Sequence, residues 1–136
     1  LDIAIEKNGE RVEKDIDKLD EQDVVLDIGH KTVESYAKTI KSAGTVFISG
    51  PAGAFERPDY SFGTESLLKT VASSMSTTIV SGGHLTAALQ KFGIRDQIDH
   101  VSTAGGALVL YLAGKKLPMI EVLEMAAKRD GKRKQD

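Results

Sequence analysis

Four apolar stretches in this chain each run into glycine where a helical pattern begins. They are VVLDIGHKT (Val24–Thr32), TVFISGPAG (Thr45–Gly53), TTIVSGGHL (Thr77–Leu85) and HVSTAGG (His100–Gly106). A strand, a tight turn and a helix, repeated in that order, leave few architectures. Antiparallel strands can be joined by short hairpins, whereas parallel strands need a crossover that a helix supplies. The expected fold is α/β, a three-layer parallel sheet with helices on both faces. In such a sheet all strand-to-helix turns fall on one edge. Glycine there lets a ligand come close to the backbone, and each helix start offers unpaired amides and the positive end of a dipole. Several starts gathered on that edge predict an anion site, most naturally for phosphate.

The stretch before these junctions has a different pattern. LDIAIE alternates apolar and polar residues as a strand does, and Asn8–Glu10 reads as a hairpin-type turn. Arg11–Gln22 is polar with isolated apolar residues and reads as a loop with a short strand. The helix after Gly29 places Val33, Tyr36, Ala37 and Ile40 on one face and stops at Gly44. A second opens near Ser61 or Thr64 and carries Leu67, Leu68, Val71 and Met75. Leu85, Ala88, Leu89 and Phe92 mark a third, stopped by Gly93; Leu108, Tyr111 and Leu112 mark a fourth, stopped by Gly114. The last carries Met119, Val122, Leu123 and Ala126 just after Pro118, a normal first-turn position. The division expected is residues 1–118 as a partial α/β domain and 119–136 as a terminal helix with a basic tail.

Composition excludes several classes. The 136 residues suffice for one domain with a real core. The absence of cysteine rules out disulfides and thiolate metal sites, and three histidines argue against a zinc cluster of nitrogen ligands. No apolar run is long enough to span a bilayer, so no membrane partner is expected and a cytoplasmic location is. The formal charge of −2 conceals an asymmetry: residues 1–27 carry ten acids against four bases, while Lys128–Asp136 carries five bases against two acids. With an acidic total and 5% aromatic residues, that tail reads as a solvated terminus, and nucleic acid is not an expected partner. Leu1 opens in mid-strand pattern without an initiator methionine, which suggests a piece of a longer polypeptide.

Familiar phosphate and acyl-transfer motifs do not occur. There is no G-x-x-x-x-G-K-[ST], no G-x-G-x-x-G, no kinase catalytic loop and no G-x-S-x-G. If phosphoryl transfer is the task, it has to rely on helix starts, a metal-bound nucleotide and basic groups from elsewhere.

Five blocks, in order, resemble the carboxyl-terminal, nucleotide-binding part of the phosphoglycerate kinase family. LDIGHKT is similar to L-D-x-G-P-K-[ST], ISGPAGAFE to W-N-G-P-x-G-x-F-E, and Phe62–Thr64 to the x-G-T helix entry. VSGGHLTAAL resembles I-G-G-G-D-[TS]. KFGIRDQIDHVSTAGGALVLYLAGKKLP follows K-x-G-x-x-D-x-I-x-H-V-S-T-G-G-G-A-x-x-x-x-L-x-G-K-x-L-P nearly residue for residue. The resemblance implies the later half of a Rossmann-like nucleotide-binding domain, from an enzyme of glycolysis and gluconeogenesis. That enzyme moves a phosphoryl group reversibly between 1,3-bisphosphoglycerate and MgADP, giving 3-phosphoglycerate and ATP.

By the same resemblance, Leu26 packs on adenine, although it also reads simply as the buried end of a strand. Glu56 takes the ribose hydroxyls, a task that suits a two-oxygen acceptor. Ser49, Gly50, Pro51 and Gly53 shape the nucleotide pocket. Gly82 and Gly83 present amides to the nucleotide phosphates, and Gly105 and Gly106 to the transferring phosphoryl group, where they act by stabilising charge. The alternative for Gly105 and Gly106 is close helix–strand packing. The chain departs from the family pattern at several positions. Ser49 replaces an asparagine, His84 an aspartate that meets the metal-bound nucleotide, Leu85 a threonine or serine, and Ala104 a glycine. These departures resemble an archaeal-type branch. Magnesium prefers oxygen ligands, so it is expected to arrive with the nucleotide rather than to be held by this segment, and His84 either touches phosphate or caps the helix. The family's amino-terminal domain, which holds 3-phosphoglycerate, does not lie in these residues. The piece alone is expected to bind ADP or ATP, to lack turnover, and to self-associate through an apolar stripe over Met119–Ala126. The rival readings are a non-catalytic nucleotide- or anion-binding module and a structural assembly domain.

Overall fold

A computed structural model describes residues 1–133; the end of the basic tail lies outside the described residues. The chain runs β1 (Asp2–Lys7), β2 (Glu10–Asp15), β3 (Val25–Ile28), α1 (His30–Ser42), β4 (Thr45–Ser49) and α2 (Phe62–Ala72). It continues through β5 (Thr77–Ser81), α3 (Gly83–Lys91), β6 (His100–Ser102), α4 (Gly105–Leu112) and α5 (Pro118–Arg133). Short 3-10 turns lie at Ile16–Lys18, Pro58–Tyr60 and Arg95–Gln97.

The architecture is α/β, with a parallel sheet ordered β4-β5-β6 and flanked by helices. Its register aligns Ser49 with Ser81 and Ser81 with Ser102, so three serines end the three strands in one row. A second sheet, ordered β2-β1-β3, is antiparallel. Asn8 (φ 54°) and Gly9 (φ 82°) both take left-handed backbone, the conformation of a two-residue hairpin turn. The first glycine junction therefore departs from expectation. Its strand, β3, pairs with β1 and belongs to the antiparallel sheet, not to the edge shared by the other three.

The second junction departs too. After Ser49 the chain does not enter a helix at Pro51–Gly53; it loops through the Pro58–Tyr60 turn before α2 begins at Phe62. Gly50 takes φ 88°, a left-handed turn that suits a residue without Cβ.

One apolar core lies between the parallel sheet and its helices: Val46 and Val80 from strands, Leu68 and Val71 from α2, Leu85, Ala88 and Leu89 from α3, with Phe55, Ile94 and Ile98 from loops. Below the sheet, the Asp99 carboxylate accepts the Thr78 amide and hydroxyl, both at 2.8 Å, and these bonds hold it below the usual carboxylate range. The Ser76 hydroxyl donates to Ala43 O at 2.6 Å and joins the end of α1 to the entry of β5. Met75 does not continue the α2 face; it lies past the helix end, fully exposed. No residue of α4 is buried, and Met119, Val122 and Leu123 of α5 are at least 58% exposed.

Candidate functional site

Two of the four long helices that follow strands begin on the protein's own carboxylates. At α1 the His30 amide donates to Glu13 Oε2 (3.3 Å), the Lys31 amide to Asp2 Oδ2 (3.2 Å) and the Thr32 amide to Asp2 Oδ1 (2.8 Å). Burial acts to raise the Asp2 carboxyl, but the Thr32 and Lys31 bonds outweigh it and hold the group below its ordinary range. Gly29 is a glycine for packing: a Cβ there would overlap the Asp2 carboxyl. At α2 the Gly63 amide donates to Asp27 Oδ2 at 2.8 Å. Asp27 is 1% exposed, and burial pushes its carboxyl up despite the Gly63 and Ile28 amides. A Cβ at Gly63 or at Gly53 would overlap that same carboxyl.

The starts of α3 and α4 are built differently. Among the described residues no protein acceptor takes the amides of Gly83, His84, Gly105 or Gly106. The two starts touch: a Cβ on Gly105 would sit 3.6 Å from the Gly82 Cα. The Gly82 amide donates to Ser102 O (2.8 Å) across the β5–β6 ladder, and its φ of 106° favours glycine. The Ser81 hydroxyl donates to Ala104 O at 3.0 Å, tying the end of β5 to the entry of α4. At Gly83 and Gly106 φ is ordinary and a Cβ would meet nothing within 4 Å. Close packing therefore does not account for these two glycines.

Between these starts and the end of β4 lies a recess of about 270 Å³. It brings together Ser49, Gly50, Pro51, Gly82, Gly83, His84, Leu85 and Gly105, eight of the twelve positions expected for the site, with Ser81 added. The amides and the dipole ends of two helices make this a place where negative charge is favoured. Leu85 contributes through its place in the first turn; its side chain is 1% exposed and belongs to the core, which explains an apolar residue there. A second, apolar cavity of about 480 Å³ adjoins the recess through Ser49, Gly50 and Leu85. Its walls include Tyr36 and Ile40 of α1, Val46 and Ile48 of β4, and Leu67 of α2.

The other four expected positions lie beside the recess rather than in it. Gly106 follows Gly105 in the first turn of α4. Glu56 sits in a turn closed by the Arg57 amide on Ala54 O (2.9 Å), and its Oε1 lies 3.7 Å from His84 Nδ1. Gly53 packs against Asp27 and Leu26 O, and the Ala54 amide donates to Leu26 O at 2.8 Å. Leu26 thus lies behind the loop that carries Glu56, half-buried on β3, and lines neither cavity.

The residues do not fit a protein-held metal. Among the described residues no group of three or more histidine, aspartate, cysteine or glutamate side chains is placed so that it could hold a metal ion. In the recess the titratable lining side chain is an imidazole, a poor match for magnesium.

The phosphoglycerate kinase family model matches residues 1–115. The chain belongs to that family. A phosphoglycerate kinase from Methanothermus fervidus is 46% identical over 97% of this chain and 32% of its own length. Solved phosphoglycerate kinases from Coxiella burnetii and Pyrococcus horikoshii give TM-scores of 0.78 and 0.77, at 40% and 36% identity. They cover 90% and 93% of this chain, and 33% and 32% of theirs. The chain therefore spans about a third of the length of the phosphoglycerate kinases it matches.

Three residues that the quoted blocks contain were given no role there: Asp27, Thr64 and Lys91. Asp27 stands in the L-D-x-G block, two residues before Gly29, and that carboxylate was the available signal. Thr64 accepts the Ala52 and Gly53 amides (3.1 and 3.4 Å), and Lys91 donates to Phe55 O (3.0 Å). Thr64 ends the x-G-T block and Lys91 opens the K-x-G block, but their partners are backbone groups that only the fold brings near.

Proposed function

We propose that this chain is the nucleotide-handling segment of a phosphoglycerate kinase and that its recess takes the phosphate end of ADP or ATP. One observation carries the reading: the α3 and α4 starts meet with their amides untaken, whereas α1 and α2 begin on internal carboxylates. In the whole protein the reaction is reversible, in-line phosphoryl transfer between 1,3-bisphosphoglycerate and MgADP, giving 3-phosphoglycerate and ATP in glycolysis and its reversal. The amides of Gly83, Gly105 and Gly106 stabilise the charge that builds on the phosphoryl oxygens and exchange no proton, while the Gly82 amide, expected among them, is taken by Ser102 O and Gly82 serves as the open turn before α3. Glu56 accepts from the ribose hydroxyls at the recess mouth. The base then falls toward the loop in front of Leu26. Magnesium enters with the nucleotide, as part of the substrate.

The acyl-phosphate substrate belongs to residues outside this chain, and closure of two domains excludes water and aligns the reacting groups. The chain alone binds nucleotide weakly and has no turnover. Its place is the cytoplasm, and among the described residues no helix is long and apolar enough to cross a membrane. Residues 119–136 form a terminal unit distinct from 1–118, and the exposed apolar side of α5 leads the isolated chain to self-associate. Light scattering at rising concentration tests that last point; a strict monomer contradicts it.

Titration of the isotope-labelled chain with ADP tests the main reading. Amide shifts are expected at Gly82, Gly83, Gly105, Gly106 and Glu56; shifts confined to α5, or none at all, sink it. Substitution of an imidazole where the family carries a metal-contacting carboxylate favours one alternative, a non-catalytic nucleotide- or anion-binding module. The whole protein, assayed in a coupled reaction, separates the two.

A further inference from the structure

The loop that presents Glu56 is fixed from two sides. From β3 and α2, Leu26 O accepts the Ala54 amide, and the buried Thr64 hydroxyl accepts the Ala52 and Gly53 amides. From the opposite side comes one side chain, Lys91, the last residue of α3. Its ammonium donates to Phe55 O at 3.0 Å and lies 5.7 Å from the ring centroids of both Phe55 and Phe92. Phe55 is 5% exposed and cannot move without disturbing the core. Its carbonyl is the peptide oxygen immediately before Glu56. The first turn of α3 lines the recess, and its last residue holds the loop. One rigid helix therefore links the phosphate end of the site to the ribose end.

We propose that Lys91 is a positioning residue for nucleotide recognition: by holding the Phe55 carbonyl it fixes Glu56 at a set distance from the amides at the α3 start. The inference rests on the nucleotide reading above and extends it to a residue that touches no ligand. A charge-assisted hydrogen bond to a backbone carbonyl on a half-buried turn has the strength for this task. Without it the Ala54–Arg57 turn keeps its anchor on β3 and α2 but loses its hydrogen bond to α3, which leaves only the longer 3.7 Å approach of Glu56 to His84 on that side. The consequence is selective. Binding at the phosphate end persists, and recognition of the ribose hydroxyls weakens.

The test compares three probes on the chain itself: ADP, 2′,3′-dideoxy-ADP and inorganic pyrophosphate, each by calorimetry, with circular dichroism as the folding control. Wild type is expected to prefer ADP over the dideoxy compound. Lys91→Met is expected to lose roughly tenfold in ADP affinity, the equivalent of about one hydrogen bond. Its affinities for dideoxy-ADP and pyrophosphate stay within about twofold, a difference too small to report a lost hydrogen bond. Lys91→Arg keeps a donor and restores the ADP preference. Lys91→Gln, with a shorter neutral donor, falls between and serves if the methionine variant folds poorly. Glu56→Gln in the Lys91→Met background adds little, because both changes remove the same recognition. A Lys91→Met or Lys91→Gln chain that keeps the full ADP preference overturns the positioning role alone. So does a parallel loss for all three probes, which marks a merely structural lysine. A wild-type chain that binds none of the probes overturns the nucleotide reading and this inference with it.

Discussion

The α1 and α3 starts share their ingredients, a strand, a glycine and a helix, yet one is occupied and the other open. The neighbours of the preceding strand make the difference. Beside β3 runs β1, antiparallel, so the beginning of β1 arrives where β3 ends, with Ile3 opposite Ile28. That places Asp2 against Gly29, and its carboxylate takes the helix amides. Beside β5 run β4 and β6, both parallel, so only other strand ends arrive: Ser49, Ser102 and their turns. An antiparallel neighbour stops the helix start from within, while parallel neighbours leave it for a ligand. The glycines sort the same way. Gly29, Gly53 and Gly63 make room for an internal carboxylate, whereas Gly83 and Gly106 make room for nothing in the chain.

The largest contrast should come from adding one methyl group to each class. Gly63→Ala forces a Cβ into Asp27 and the Ile28 side chain and should cost about 3 kcal/mol, at the upper end for overpacking. Gly106→Ala should change stability by less than about 1 kcal/mol, since helix propensity favours alanine. Equal losses in urea unfolding would erase the distinction. Next, Asp2→Ala should cost roughly 2–3 kcal/mol at neutral pH by leaving the α1 amides buried without an acceptor. The Asp2 carboxyl is held low in the folded chain, so its contribution is present above the unfolded value of about 4 and fades as pH falls through the folded one. The gap between wild type and variant should therefore close in acid; a gap that persists there breaks the capping account. On the open side, Gly106→Ala should weaken ADP roughly tenfold, about 1.4 kcal/mol, with the fold intact. The smallest effect belongs to His84→Asp. A carboxylate at the recess mouth should weaken metal-free ADP about threefold, the scale of an exposed charge, and magnesium should reverse the loss. Unchanged affinity with and without the metal would remove His84 from the phosphate end.

Much of this fold was legible in the chain itself. Alternation and the Asn8–Gly9 pair marked the first hairpin, and Gly44, Gly93 and Gly114 lie just past helices that end where periodicity said. The partner of β3 was not legible, because a four-residue strand reveals which residues are apolar and not which strand it pairs with. For the same reason the anion edge came out too wide: Asp2 lies 30 residues from Thr32, and its carboxylate closes the first junction only through tertiary structure. Apolar residues on α4 marked a helix correctly but not its exposure, since periodicity says which side would be covered and nothing about what covers it, whereas the exposed stripe of α5 was expected. Of the site, glycines and the row of strand ends could be read directly. Lys91 opens a quoted block, but its contact could not be read, because its acceptor is a backbone carbonyl that every sequence possesses.

Asp27 touches the places where two other residues have no side chain, Gly53 in the loop and Gly63 in the helix. None of the three can drift alone: a larger residue at either glycine needs a smaller one at 27, which in turn strands the Gly63 amide. In any mutational library of this segment the trio will behave as one letter, tolerated whole or lost whole, and pairwise scans will read it as strong epistasis.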